Sequence, residues 1–270
     1  MPAPDESLNE SLDESRNIDD LMHRLEVAAA RPELLVHEAR LQVLGEVSHG
    51  EAPPVPLMHL SLGRFQQRRV LVIAGTHGDE PASVEAMLQL LEQFPEHYLD
   101  AASVDILPCT NPTGWCLNTR ENAAGIDVNW AFDRHDVPEV TILRHFLQGR
   151  RWEVIVDFHE DWEATGFYLY EHRRGADYIG PQVVDQVADV CPLSEAVEID
   201  GWPADHAVIH ADDSVERLRR GDGLPLILLR DHTDHKVTTE TPTCLPLQQR
   251  VDAHHQALAA ILAHHLGTPG

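Results

Sequence analysis

His77 and Glu80 lie three residues apart, directly after the apolar, β-branched run 70–73. The run predicts a strand that is buried on both faces, and Pro81 favours the first turn of a following helix. In α/β proteins, such a strand-to-helix turn lies where ligands usually bind. An imidazole and a carboxylate at this spacing can hold one cation, and zinc accepts both kinds of ligand. His77 and Glu80 are therefore candidate metal ligands.

A second apolar run, residues 152–158, leads directly into His159. His77, Glu80 and His159 would supply two imidazoles and one carboxylate and leave a fourth position for water, as a catalytic zinc ion requires. The sequence contains 18 histidines, so one histidine after a strand is weak support for a metal site. Two histidines that each follow an apolar run, one of them with a glutamate on its own turn, are less easily explained by chance. We predict that these three residues bind one Zn²⁺ per chain.

The composition indicates a globular protein with an acidic surface. Its 270 residues are 43% hydrophobic, and 45 acidic against 20 basic side chains give a net charge of −25. This charge repels phosphate backbones, so we expect no nucleic-acid partner. The sequence shows no signal peptide, no apolar run long enough to cross a membrane, and no CxxC pair among its four cysteines. We expect a cytoplasmic protein without a membrane partner, and the oligomeric state stays open.

Alternating apolar runs and amphipathic segments predict a single α/β domain, with a mixed, mostly parallel sheet and helices on both faces. Residues 1–33 would form an acidic N-terminal segment with a short helix, and residues 34–270 the main domain. The predicted strands are 34–47, 55–62, 69–76, 103–107, 152–158, 167–170, 224–229 and 237–240. The predicted helices are 18–30, 81–94, 138–147, 181–190 and 245–266, and residues 108–114 are predicted as a loop.

Five short motifs follow one another along the chain. They are Gly75-Thr76-His77-Gly78-Asp79-Glu80; Asn111-Pro112-Thr113-Gly114 with Asn118-Thr119-Arg120-Glu121-Asn122; Gly125-Ile126-Asp127-Val128-Asn129; Asp157-Phe158-His159-Glu160-Asp161; and Thr239-Glu240-Thr241-Pro242. In this ordered set the sequence resembles the zinc carboxypeptidase superfamily, which includes the succinylglutamate desuccinylases and aspartoacylases. The resemblance spans residues 69–242, and each motif alone is weak.

The resemblance implies a role for each matching residue. His77, Glu80 and His159 match the zinc ligands, and Glu240 matches the general base. Zinc lowers the pKa of its bound water to about 7, so a nearby carboxylate suffices as base. Taken alone, Glu240 would more simply be a solvated carboxylate at a strand end.

Three further residues match positions that contact the substrate or support the metal. The resemblance implies that Arg120 stabilises the oxyanion, that Asn129 binds the substrate's carboxylate or backbone, and that Asp127 orients the His77 ring. A fixed cation aimed at the oxyanion contributes a few kcal/mol, whereas a surface salt bridge, the alternative for Arg120, contributes about 0–1 kcal/mol.

Trp130 departs from the family pattern. The family usually has an arginine here, which grips the terminal carboxylate of the substrate, and an indole cannot pair with a carboxylate. We expect Trp130 to line the substrate site, with Arg173, Arg174 or Arg230 as candidate replacements for the missing cation. The family's mobile tyrosine also has no counterpart between residues 178 and 240.

Other residues allow two interpretations each. Trp162, Phe167, Tyr168 and Tyr170 follow His159 and either wall the substrate pocket or pack in the core. The pairs 254–255 and 264–265 are histidines on the last helix, and we predict that they face solvent.

The sequence therefore predicts a zinc-dependent hydrolase that cleaves a peptide or amide bond, with a small peptide or N-acyl amino acid as its substrate. The resemblance leaves two readings open within this class, a carboxypeptidase-like peptidase and a deacylase of N-acyl amino acids. A third alternative is a metal-containing module that binds a peptide without cleaving it.

Overall fold

The computed structural model of the chain describes residues 16–49, 53–63, 68–175, 177–211 and 223–267. The part of the predicted N-terminal segment before residue 16 lies outside these ranges. The strands are β1 (Arg40–Val47), β2 (Val55–Leu62), β3 (Arg69–Ile73), β4 (Ser103–Leu107), β5 (Val154–Asp161), β6 (Tyr168–Arg173), β7 (Glu198–Ile199), β8 (Trp202–Pro203), β9 (Val208–Ala211) and β10 (His235–Pro242).

One eight-stranded mixed sheet, in the order β1-β2-β4-β3-β5-β10-β6-β9, forms the centre of the fold. The central strands β4, β3, β5 and β10 run parallel to one another, and β2 and β6 flank them in the antiparallel sense. Short strands β7 and β8 form a separate ribbon. The four central strands therefore end at the same edge of the sheet, where α/β proteins bind ligands.

Helices cover both faces of this sheet. They are α1 (Ile18–Ala29), α2 (Pro32–Leu35), α3 (Pro81–Glu92), α4 (Pro112–Leu117), α5 (Pro138–Leu147), α6 (Gly180–Val187), α7 (Leu224–Ile227) and α8 (Leu247–Leu266), with 3₁₀ turns at Glu96–Asp100 and Val128–Trp130. Helices α1, α3, α6 and α8 contribute to the apolar core on one face. Helices α5 and α7 contribute to a second core on the opposite face. The predicted α/β class with helices on both faces is confirmed.

β3 shows why an apolar run becomes a central strand. Val70 and Val72 pack into the first core, while Leu71 and Ile73 pack into the second. Side chains of a strand alternate between the faces of the sheet, so a strand covered on both sides must be apolar at every position. The sequence prediction of a strand buried on both faces is correct here.

Three of the predicted segments differ most from the structure. The predicted strand 224–229 is wrong, because α7 begins after Gly223 with Pro225 in its first turn and continues into the π-helical turn Leu228–His232. Periodicity cannot distinguish a short, fully apolar strand from a buried helix. The end of the predicted loop 108–114 is helical, because α4 begins at Pro112 and the Asn111 side chain caps its first turn. The first predicted strand begins at Arg40 rather than at residue 34.

Helix α1 begins at Ile18 as predicted, with Asn17 as its N-cap, and its side chains Leu21 and Leu25 are buried in the first core. The division of the chain at residue 33 stays a prediction. Among the helices of the described ranges, none is both long enough and apolar enough to span a membrane.

Candidate metal centre and active site

The three predicted metal ligands converge at the carboxyl edge of the sheet. The Nδ1 atoms of His77 and His159 are 3.2 Å apart. The Glu80 carboxylate reaches both rings, with Oε1 2.5 Å from His77 Nδ1 and Oε2 3.0 Å from His159 Nδ1. All three residues are buried, and one ligand atom from each lies within 4.8 Å of the others. Two nitrogens and one oxygen therefore face a common point.

Different elements carry these ligands. His159 lies inside β5, which continues to Asp161, and His77 lies in the turn after β3, so neither histidine is the last residue of its strand. The turn is packed tightly, because a Cβ on Gly78 would lie 1.9 Å from the carbonyl carbon of Gly114. Only glycine fits at this position without a shift of the backbone.

Two more carboxylates lie behind the histidine rings. Asp127 Oδ1 is 3.4 Å from His77 Nε2, and Asp157 Oδ1 is 3.3 Å from His159 Nε2. A carboxylate beside Nε2 favours the tautomer that carries its proton there, which leaves the Nδ1 lone pair for an ion. Two such lone pairs and a carboxylate that face one another need a proton or a cation between them. The donor set therefore fits a metal ion.

Sequence reasoning missed Lys236, which supports this arrangement. Its fully buried ammonium group is 3.3 Å from Asp157 Oδ2 and donates to the hydroxyl of Thr238. A buried carboxylate needs such a partner to offset the loss of hydration. The detectable signal is the alternation along β10, because residues 236, 238 and 240 point to the same face of the sheet.

The protonation of the ligands depends on this crowding. Burial opposes the charge on Glu80, but the two imidazoles outweigh it and lower the pKa of Glu80. Burial likewise opposes the imidazolium forms, yet Glu80 and Asp127 raise the pKa of His77, and Asp157 and Glu80 raise the pKa of His159. The ligand set therefore attracts positive charge to the point that the three side chains share.

Glu240 lies on β10 directly opposite His159 of β5. Loss of hydration raises the pKa of Glu240 to about 8, and the carboxylates of Glu80 and Asp161 add to this shift. The side chain is partly exposed to the cavity described below. A carboxyl group in this place can exchange a proton with a molecule beside the ligands, and a bound cation would lower its pKa.

The raised pKa values predict a pH-dependent effect of metal on stability. Glu240 holds a proton in the folded protein up to about pH 8 but loses it near pH 4.5 when unfolded. The metal-free protein should therefore lose stability across this interval, and the raised pKa values of His77 and His159 act in the same direction. Metal binding displaces these protons, so the rise in Tm on adding Zn²⁺ should grow from pH 4.5 to about pH 8. Thermal melts with and without Zn²⁺ measure this difference, and a constant or shrinking difference would contradict the assignment.

Arg120 extends over the candidate metal centre from the loop after α4. Its Nη1 atom is 3.4 Å from His77 Nδ1 and 3.9 Å from Glu80 Oε1, while Nε donates to Asp127 Oδ2 at 3.1 Å. Asp127 therefore contacts both the guanidinium and the His77 ring. The side chain of Arg120 is 45% exposed, so one side of the guanidinium is open to a ligand.

Asn129 and Trp130 lie together on the 3₁₀ turn after Asp127 and line the cavity. Asn129 is 6% exposed, and within the described residues its Oδ1 atom has no hydrogen-bond partner. The Trp130 ring lies against Gly223, where a Cβ would be 2.4 Å from the ring. The pair thus presents one polar group and one aromatic face to whatever enters the cavity.

The candidate ligands lie in a cavity of about 410 Å³. It is lined by His77, Glu80, Arg120, Asn129, Trp130, His159, Glu160, Asp161, Trp162, Glu163, Tyr168, Tyr170, His172, Asp200, Pro225, Thr238 and Glu240. Of the four residues with two interpretations, Trp162, Tyr168 and Tyr170 line the cavity, whereas Phe167 is fully buried in the core. The tyrosine hydroxyls donate to carboxylates of the wall, Tyr168 to Asp161 at 2.9 Å and Tyr170 to Asp200 at 2.6 Å.

Among the described residues, Arg120 is the only arginine or lysine that lines the cavity. None of the three arginines considered as replacements for the family anchor lines it. Arg174 pairs with Asp234, Arg230 pairs with Asp231, and Arg173 lies beside His235. Their proposed role as a carboxylate anchor is therefore wrong for this arrangement of the chain.

Glu139 was not recognised from sequence and organises the loop that carries Arg120. This fully buried carboxylate accepts hydrogen bonds from Thr113 Oγ1 at 3.3 Å and Asn122 Nδ2 at 3.1 Å, and it lies 3.0 Å from His49 Nε2. Asn122 in turn accepts from the backbone N–H groups of residues 124 and 126 at 3.0 Å. Three segments are thereby joined at one side chain.

We expect Glu139→Gln to lower both stability and activity. The new amide keeps one acceptor oxygen, but its NH2 group would face the donor of either Asn122 or Thr113, which costs about 1–3 kcal/mol of unfolding free energy. A shift of the Arg120 loop should lower kcat roughly tenfold or more. Denaturant unfolding and steady-state kinetics measure the two effects. Glu121→Gln in the same loop is the matched control, and equal losses in both variants would contradict the role of Glu139.

Helix α8 reaches the site from the opposite face of the sheet. Arg250 pairs with Glu160, whose Oε2 accepts a 2.6 Å hydrogen bond from the N–H of Ala82 in the first turn of α3, directly after Glu80. His254 is fully buried, and His265 is 8% exposed, so the prediction that both histidine pairs face solvent is wrong. Both positions lie among the apolar residues of the buried stripe of α8, which is the signal that the sequence offered.

Comparisons with known proteins agree with this fold. Residues 66–177 match the succinylglutamate desuccinylase/aspartoacylase catalytic domain. Murein peptide amidase A of Vibrio campbellii is 29% identical over 134 aligned residues, a match to 39% of this chain and 53% of that protein. The match thus spans about half the length of this curated relative.

Two solved structures show the similarity over nearly the whole chain. A candidate metallopeptidase from Shewanella amazonensis has a TM-score of 0.78 and 23% identity, covering 94% of this chain and 95% of its own. A metallo-carboxypeptidase from Burkholderia cenocepacia has a TM-score of 0.64 and 17% identity, covering 92% of this chain and 68% of its own. In its fold, in the matched catalytic domain and in the order of its motifs, the chain is similar to the zinc carboxypeptidase-like superfamily.

Proposed function

We propose that the protein is a zinc-dependent hydrolase of peptide or amide bonds, with the ion held by His77, Glu80 and His159. The observation that carries the proposal is the convergence of the two Nδ1 atoms and the Glu80 carboxylate on one point of the cavity, beside Glu240. The names of the relatives, murein peptide amidase and metallo-carboxypeptidase, support this class of reaction.

When bound, zinc would supply Lewis acidity, which polarises a carbonyl group and acidifies water. Glu240 would take a proton from the attacking water and deliver it to the leaving nitrogen. Arg120 would place its positive charge beside the carbonyl oxygen as negative charge develops there. Asp127 and Asp157 would hold the two imidazole rings, and Asn129 would hydrogen-bond the substrate.

The charges of the cavity bear on the choice of substrate. Its described lining contains one guanidinium group, that of Arg120, and the carboxylates of Asp161, Glu163 and Asp200 in addition to those beside the candidate metal centre. A substrate with several carboxylates, such as an N-succinyl dicarboxylic amino acid, needs several cationic partners. The described lining therefore favours a peptide or peptide-like amide over this kind of N-acyl amino acid.

A second candidate is deacylation of N-acyl amino acids, which the matched catalytic domain favours. The deciding experiment supplies the Zn²⁺-loaded protein with peptides, their C-terminal amides, N-acetyl amino acids and N-succinylglutamate. We expect cleavage of peptides with kcat/KM at least about tenfold above that of N-succinylglutamate. The reverse order would support the deacylase. If the wild-type protein cleaves none of these compounds, like the Glu240→Gln variant, the result would favour a module that binds a peptide without cleaving it.

Trp130→Arg tests what the departure from the family pattern means. An arginine at this position could pair with a terminal carboxylate, which an indole cannot do. We expect the ratio of kcat/KM for a peptide over its C-terminal amide to rise roughly tenfold. Trp130→Leu is the control, because it removes the indole without adding charge. If both variants change the ratio equally, Trp130 does not occupy the place of the carboxylate anchor.

A further inference from the structure

His254 lies on the face of the sheet that is turned away from the cavity. Its ring is fully buried and stacks on Phe158, with ring centroids 4.5 Å apart and an interplanar angle of 22°. Its Nδ1 atom is 2.9 Å from Thr239 Oγ1, and its Nε2 atom is 3.3 Å from Thr241 Oγ1. One imidazole from α8 therefore contacts β5 once and β10 twice.

The two threonines flank Glu240. Side chains of a strand alternate between faces, so Thr239 and Thr241 point toward α8 while Glu240 points into the cavity. In the register of the sheet, Thr239 lies opposite Phe158 and Glu240 lies opposite His159. His254 is therefore directly behind the pair formed by the proposed base and a proposed metal ligand.

The chemistry of the ring suits two threonine hydroxyls. Burial lowers the pKa of His254 well below its usual value, so the ring is neutral and carries one N–H donor and one bare acceptor nitrogen. A threonine hydroxyl rotates and can serve as donor to one nitrogen or as acceptor from the other. Both ring nitrogens are thereby satisfied, and the backbone on either side of Glu240 is tied to the same rigid group.

We propose that His254 is a positioning residue for Glu240, holding β10 in place through the hydroxyls of Thr239 and Thr241. The proposal rests on the proposed function, in which Glu240 transfers a proton. Because His254 does not line the cavity, its contribution acts through the strand and not through contact with substrate.

The main test is His254→Phe, which keeps an aromatic ring against Phe158 but removes both hydrogen bonds. We expect kcat to fall at least about tenfold, since small misplacements of a catalytic group have effects of this size or larger. KM and the Zn²⁺ content should stay unchanged, because the metal ligands are not altered. His255→Phe, one residue along α8, is the matched control and should leave kcat unchanged, since His255 lies 2.7 Å from the Ala86 carbonyl on another element.

A combined variant separates positioning from stability. His254→Phe with Thr239→Val and Thr241→Val removes the unpaired hydroxyls that His254→Phe leaves behind, so Tm should recover. The proposal predicts that kcat stays low in this variant, because the strand is no longer tied. Recovery of kcat together with Tm, or an unchanged kcat in His254→Phe, would overturn the proposal.

Amide hydrogen exchange tests the proposal without reference to turnover. Exchange in the peptide that spans residues 238–242 should become faster in His254→Phe and in the combined variant, and not in His255→Phe. Unchanged exchange would overturn the positioning role even in an active enzyme. If exchange becomes faster in His254→Phe but the wild-type protein cleaves no substrate, the role of His254 in holding β10 is supported and the proposed function is refuted.

Discussion

Glu240→Gln should reduce kcat by about 10²- to 10⁴-fold, the usual contribution of a general base. The substitution keeps the size of the side chain and its place opposite His159, but an amide cannot accept and return a proton at neutral pH. It also removes a carboxyl group whose pKa is raised to about 8 by lost hydration. The metal-free variant should therefore be at least as stable as wild type at pH 8. Single-turnover kinetics and thermal melts measure the two effects.

The control for Glu240→Gln is Glu163→Gln, at another carboxylate of the cavity lining that is not among the candidate metal ligands. We expect this variant to retain kcat within a few fold, because the proposed mechanism gives Glu163 no proton to transfer. Zn²⁺ binding should persist in Glu240→Gln, since Glu240 is not among the three candidate ligands. A Glu240→Gln protein that binds Zn²⁺ and retains full activity would refute the assignment of the base.

His159→Ala should abolish high-affinity metal binding, and activity with it. The variant leaves one imidazole and one carboxylate, too few protein ligands for a catalytic zinc site. Wild type at a free Zn²⁺ concentration 1,000 times its Kd should gain about 4 kcal/mol of stability from the ion, and His159→Ala should gain almost none. Thermal melts with and without Zn²⁺, together with metal analysis after dialysis, measure the difference. Removing the ion from wild type with a chelator should reproduce the loss of activity, and adding Zn²⁺ should reverse it.

His264→Ala is the matched control for the loss of His159. His264 is exposed on α8, so its removal should leave Kd for Zn²⁺ and kcat unchanged. If His159→Ala retains a 1:1 Zn²⁺ stoichiometry with wild-type affinity, the ion binds elsewhere and the geometry around His77 and Glu80 has another purpose.

Local patterns in the sequence predict a feature correctly where all the residues that determine it lie in one short segment. The run 70–73 predicts a central strand because it is apolar at every position, and the strand is buried in both cores. His77 and Glu80 are neighbours because only one turn separates them. The helices at 81–92, 138–147 and 247–266 follow from their periodicity and from Pro81 and Pro138 in first turns.

The errors occurred where local pattern is ambiguous. Residues 224–229 are apolar at nearly every position, which suits a central strand and a buried helix equally. Packing against the second core selects the helix. Residue type alone predicts that the histidines of α8 face solvent, although their spacing places His254 and His265 on the buried stripe. Hydrogen bonds to residues of the sheet offset the burial of these polar rings. His254 contacts Thr239, and His265 contacts His235, which in turn contacts Glu171.

The sequence by itself determined the α/β class, the order of the chemical motifs and the pairing of His77 with Glu80, because each depends on residues close together in the chain. Only the tertiary structure decided that His159 and Glu240 lie side by side, next to the turn that carries His77 and Glu80. Strand order and register bring together residues that are far apart in sequence. The same long-range packing decided that Lys236, Glu139 and His254 contact residues that support the site, and that Arg173, Arg174 and Arg230 lie outside the cavity. Side chains that act through other side chains leave no motif, because their partners come from any part of the chain that the fold brings near.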